Sequence, residues 1–267
     1  MILFAKFPKL PGVLIVAAAL SVHAADTPKH VDVKQLSKKV DTVVVPLPNE
    51  VFGALNKLGG VNWREYVRND KGANFTERPR IALLLGAVIA DGFIAVQAED
   101  APTVKDIGQR VLSLSKAIGV SSSITAHAKA ITDAADKRNW ASVRQELDKT
   151  QSSVQAAMNE VHDEKLSQLV SLGGWLRGTE VLTAVVTKRY STEGSELLHQ
   201  PDLLNYFESR LQEMPEFNLK LLQEIQTALV EVRPLIDVGD AHIPAASVKK
   251  INDITTRLGD AITKKTP

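Results

Sequence analysis

The fold class this sequence predicts is all-α, a multi-helix bundle of about seven to nine helices that follows a cleaved signal peptide. Three observations point there. Apolar residues recur at spacings of three and four along most of the chain, the period of a helix with one buried face. Ile81 to Ala98 is apolar on every side, as a helix at the centre of a bundle is, and Leu166 to about Thr187 reads as a second apolar helix. No period of about 20–50 residues repeats, so a solenoid is not expected.

The elements follow in order. Lys6 and Lys9 precede an apolar stretch from Leu10 to Leu20, and Val22-His23-Ala24 sets small or aliphatic residues where signal peptidase reads. Residues 1–24 are therefore expected to be an export signal cleaved after Ala24. The stretch is shorter than the ~20 residues of a bilayer span, which ranks an uncleaved anchor second. Residues 25–48 read as an extended lead-in. Within it Thr42 to Val45 looks extended and is bounded by Pro46 and Pro48, with a polyproline-like connector as the alternative to a strand. Residues 49–267 read as a single all-α domain.

In that domain Asn49 to Leu58 is a short helix stopped by Gly59-Gly60, Val61 to Arg68 is ambiguous, and Asn69 to Asn74 is a loop. Thr76 is expected to cap the first apolar helix. Asp91 and Gly92 interrupt that helix, and a charge at mid-bilayer is costly, so it reads as a core helix and membrane embedding is not expected. Pro102 opens the next helix and Gly119 closes it, with Ser121 to Ser123 as caps for the one after. Trp140, Val143, Leu147, Thr150, Val154, Ala157 and Val161 form a heptad-like seam that breaks at His162-Asp163-Glu164. Short loops on either side favour a partner for it within the chain. The second apolar helix runs from Leu166 to about Thr187. A connector with a short helical piece spans Thr192 to Pro201, and helices follow over Asp202–Gln212 and Pro215 to about Arg233, the latter ended or kinked by Pro234. Val248, Ile251, Ile254, Leu258 and Ile262 mark an amphipathic last helix.

The chain has no cysteine, which excludes thiolate nucleophiles, zinc fingers, iron–sulfur clusters and covalently attached haem. Residues 1–24 hold two lysines and no acid, so the mature balance is 30 basic against 31 acidic residues. That charge offers no footprint for nucleic acid. Gly-x-Ser-x-Gly, P-loop, dinucleotide-binding and His-Glu-x-x-His motifs do not occur, and no cofactor is strongly implied.

Two constellations remain. The glycine-bearing apolar helices carry Asp91 in the first and Arg177 and Glu180 in the second, the latter three residues apart and able to share a face. A charge in apolar surroundings must be paired, so Asp91 and Arg177 are expected to meet with Glu180 close by, as a ligand-binding or buried polar cluster. Gly86 with Ala90, and Gly174 with Gly178, are spaced to let two helix backbones approach closely. The other constellation is Glu196-Leu-Leu-His199, the ligand pair that di-metal carboxylate bundles use twice; no second copy exists here. The expected role is a non-catalytic accessory or binding one in the periplasm of a Gram-negative envelope, toward an unidentified protein or small ligand. A metal-binding bundle or metalloenzyme built on Glu196 and His199 is the alternative.

Overall fold

A computed structural model describes residues 37–40, 43–46, 48–68, 75–160 and 163–264. The expected signal over residues 1–24, most of the lead-in, the Asn69–Asn74 loop, Val161, His30 and His162 lie outside the described residues. The described chain is a helical bundle: β1 (Ser37–Val40), β2 (Val43–Pro46), α1 (Pro48–Leu58), α2 (Arg78–Gln97), α3 (Ala101–Ala117), α4 (Thr125–Asp136), α5 (Trp140–Glu160), α6 (Glu164–Lys188), α7 (Thr192–Glu196), α8 (Pro201–Gln212), α9 (Lys220–Ile236) and α10 (Ala245–Thr263). All of these helices except the five-residue α7 have eleven residues or more.

The core is built on α2 and α6. Every residue of α2 from Ile81 to Val96 is buried. It is the helix among the described residues that is long and apolar enough to cross a membrane, and the chain's own helices bury 89% of that stretch. α6 lies against it in the same direction: Arg78 pairs with Asp163 near the two N-termini, and Asp91 with Arg177 further along. Glycine sets how close the two come. A β-carbon on Gly86 would overlap the Val170 carbonyl oxygen and lie 2.8 Å from the Gly174 nitrogen, and one on Gly173 would overlap the Leu83 carbonyl oxygen. The crossing is therefore backbone on backbone. About 1 kcal/mol of helix propensity is given up at each such glycine, and dispersion between the closely packed helices offsets it. Gly178, by contrast, has nothing within 4 Å of where its β-carbon would sit, and Gly92 has only ordinary contacts at 3.4 Å.

The remaining helices clothe this pair. α3 packs on α2, α4 fills the angle between α3 and α5, and α5 closes on α2 and α6. α10 lies along α6, α9 along α10, and α8 along α9. The seam of α5 faces inward as its spacing requires, with Val143, Leu147, Thr150, Val154 and Ala157 buried within the chain.

The structure corrects several local expectations. Val43–Pro46 is a strand, paired antiparallel with Ser37–Val40, and not a polyproline-like connector. Thr76 does not cap α2: Glu77 holds that position without a side-chain bond, and Pro79 in the first turn needs no amide partner there. Ser121–Ser123 form a 3-10 turn and do not cap α4. The side-chain caps fall elsewhere, from Asp100 on α3, Asn139 on α5, Asp163 on α6 and Ser191 on α7. Pro215–Phe217 is a separate 3-10 turn, left through Asn218 at φ +26°, so α9 begins only at Lys220. α9 also runs past Pro234 to Ile236. The amide lost there belongs to the last turn and would have served Val230, an exposed residue whose carbonyl water can satisfy.

Candidate functional site

The polar residues carried by the two apolar helices come together. Arg177 Nε donates to Asp91 Oδ1 at 2.6 Å, and its Nη1 lies 3.2 Å from Glu180 Oε2. Its Nη2 donates to the Tyr66 carbonyl oxygen at 2.6 Å. Arg177 and Asp91 are each 5% exposed. Arg68, which sequence reasoning did not single out, closes the set by pairing with Glu180. Burial alone would pull the Arg177 guanidinium down, but the charges of Asp91 and Glu180 outweigh it and hold its pKa above the ordinary value. Two cations and two anions thus neutralise one another out of water, as buried charge must.

The third wall of this network is α10. Asn252 Nδ2 donates to the Glu180 carbonyl oxygen at 2.9 Å and to Thr183 Oγ1 at 3.0 Å. A β-carbon on Gly259 would stand 2.7 Å from Arg68 Nη2 and 2.8 Å from Glu180 Oε2, so this glycine is what leaves room for the ion pair. Nothing in the local sequence of α10 marks Gly259 for that task.

Tyr66 links the network to a cleft. The 3-10 turn Trp63–Tyr66 sits over the C-terminal end of α6, pinned by Trp63, whose Nε1 donates to Asn56 Oδ1 at 2.5 Å. Between that turn, the Gly59-Gly60 bend and residues Val185 to Gly194 opens a cleft of about 330 Å³. Both glycines have positive φ, +81° and +75°, a conformation that side chains disfavour. Gly60 also lets the Arg189 guanidinium approach, with Nη1 only 2.5 Å from where a β-carbon would be.

The charges along the cleft fall into two groups. Glu65 and Lys188 are paired with each other, and Lys188 Nζ lies 5.2 Å over the Tyr66 ring. The hydrogen bond from Lys188, aided by one from Asn62, holds the Glu65 carboxyl below its ordinary value. Burial raises the Tyr66 phenol, so it remains a donor at neutral pH. Arg189 and Glu193 also line the cleft, and neither has a charged partner among the described residues. Tyr190 anchors the far wall by donating to the Ile243 carbonyl oxygen at 2.9 Å.

No side-chain contact joins the second expected pair, Glu196 and His199, among the described residues. Glu196 turns to His242, with Oε1 2.7 Å from Nδ1, and not to His199. His199 follows α7 and is tied to Glu196 through the backbone, its amide donating to the Glu196 carbonyl oxygen at 3.0 Å. Among the described residues no three His, Asp or Glu side chains gather as metal ligands. No protein-family model, curated protein or solved structure gives a significant match to this chain.

Proposed function

We propose that this chain is an exported binding protein of the cell envelope whose ligand is a small molecule carrying both a positive and a negative charge. The observation that carries the reading is the cleft with a cation, Arg189, and an anion, Glu193, on its walls, neither with a charged partner among the described residues. Its volume of about 330 Å³ lies within the range of small-molecule pockets. Two tyrosines add flat apolar area with a polar tip. The Arg68–Asp91–Arg177–Glu180 network holds the Tyr66 backbone and so fixes the cleft wall, while its own charges are already matched. Export rests on the basic and apolar pattern of residues 1–24, and a lack of cysteine suits a chain that folds outside the cytoplasm without disulfides.

The test is thermal unfolding of the chain with zwitterionic probes, the free amino acids, beside matched probes of single charge, acetate and methylammonium. A ligand at a hundred times its Kd stabilises by about 2.7 kcal/mol, a rise of roughly 5 °C or more for a chain of this size. A zwitterion is expected to produce that rise, and Arg189→Ala to abolish it while the unliganded midpoint stays put. An equal response in Arg189→Ala, or none to any zwitterion, overturns the assignment.

A further inference from the structure

We propose that Ser153 is a base-activated nucleophile that takes an acyl group, such as acetyl, from activated esters, with His127 as its base and Glu146 holding the base in place. This site shares no residue with the cleft and stands independently of it.

The arrangement arises where α4 and α5 pack side by side. Glu146 and Ser153 lie seven residues apart on α5, two turns, and so point from one face. His127 on α4 reaches both: its Nδ1 is 3.0 Å from Glu146 Oε2 and its Nε2 is 3.0 Å from Ser153 Oγ. A carboxylate only accepts, so Nδ1 carries the proton, and the neutral ring then offers Nε2 as acceptor to the Ser153 hydroxyl. Lys149 Nζ, 2.6 Å from Glu146 Oε1, and then His127 itself keep the Glu146 carboxyl below its ordinary value and thus ionised. The His127 and Glu146 side chains are 21% and 18% exposed, shielded from water yet within reach of a reagent. The relation of hydroxyl, imidazole and carboxylate is the one by which a serine is activated in unrelated folds.

In the reaction the Ser153 oxygen attacks the ester carbonyl carbon while its proton passes to His127 Nε2. The bond to the leaving oxygen breaks, and that oxygen takes the proton from His127. Ser153 is left as its acetyl ester, which water hydrolyses by the same base. α5 also sets the limit. Its interior amides are committed to the helix and cannot point at an oxyanion, and one such donor is worth about 10²–10³ in rate. Base assistance alone supplies about 10²–10⁴. Only esters with a good leaving group should react, and the acetyl-serine should accumulate.

The experiment treats the full chain with p-nitrophenyl acetate and maps the product by intact mass and peptide sequencing. The expected result is one acetyl group per chain on Ser153. Its rate of formation should fall about 100-fold in His127→Gln, and the adduct should vanish in Ser153→Ala. Glu146→Gln, which keeps an acceptor for Nδ1–H, gives an intermediate rate and shows that the seam still folds. Circular dichroism melts confirm each variant as folded. Acetyl groups on lysines alone, or a Ser153 adduct that forms equally fast in folded His127→Gln, would overturn the proposal and leave the three residues as a hydrogen-bonded pin between two helices.

Discussion

The α2–α6 crossing and the cleft at the end of α6 treat charge in opposite ways. At the crossing every charge is matched: Arg177 meets Asp91 and Glu180, Arg68 meets Glu180, and glycines bring the backbones together. At the cleft Glu65 and Lys188 are matched, but Arg189 and Glu193 have no charged partner among the described residues. Both regions sit on the same helix. The difference teaches that burial, and not the mere presence of ionisable groups, decides which charges serve the fold. A charge out of water must be neutralised within the chain, whereas one at a cleft wall is kept solvated and stays available.

Substitutions at the crossing should have the largest effect. Gly86→Ala or Gly173→Ala puts a β-carbon into a backbone carbonyl that cannot yield without parting the helices, and each is expected to cost about 3–5 kcal/mol in urea unfolding. A loss below about 1 kcal/mol would mean that the helices do not cross there so closely. Next comes Asp91→Ala, which leaves Arg177 buried with half its neutralisation and should cost about 3 kcal/mol, while Asp91→Asn, which still accepts from Nε, should cost less.

Arg189→Ala sharpens the contrast from the other side. Its stability should stay within about 0.5 kcal/mol of the parent, because no charged partner among the described residues is lost, while response to a zwitterion disappears. Gly178→Ala is expected to stabilise by about 0.5–1 kcal/mol, since it restores helix propensity where space is open. Two α6 glycines five residues apart would then change stability with opposite sign.

The smallest effect concerns pH. Glu146 titrates below its ordinary 4.5 in the folded chain, chiefly through Lys149 and then His127, so the unfolded chain takes up its proton first. The stabilisation is complete above about pH 4.5 and is lost as pH falls through the lower folded value. Acid titration of Glu146→Gln should show a shallower loss over that window than the parent. An identical acid limb would remove Glu146 from the account of acid stability.

Much of the fold was legible because each helix carries its own evidence. The stripes of α5 and α10 fix their buried faces, and the all-round apolarity of α2 fixes its place at the centre. The ion-pair network was legible for a similar reason: Asp91, Arg177 and Glu180 lie in apolar helices, and their cost in isolation demands that they meet. Signals that depend on neighbours distant in sequence were hidden. Thr76 and Ser121 to Ser123 look like caps, yet whether a hydroxyl caps depends on the path by which the chain enters the helix. Glu196 pairs with His242, forty-six positions away, in preference to its neighbour His199. The Glu146–His127–Ser153 relay exists only because α4 lies beside α5, and no spacing within either helix announces it.

The central claim, that a small zwitterion occupies the cleft through Arg189 and Glu193, is tested most directly by native mass spectrometry. The parent and Arg189→Ala chains would be purified without denaturant from the cells that make them, and each mass compared with its denatured mass. The account predicts that the parent carries excess mass of small-molecule size that denaturation releases, and that Arg189→Ala arrives bare. Bare parent protein that also fails to take up any added zwitterion, or an equal excess on both chains, would contradict it.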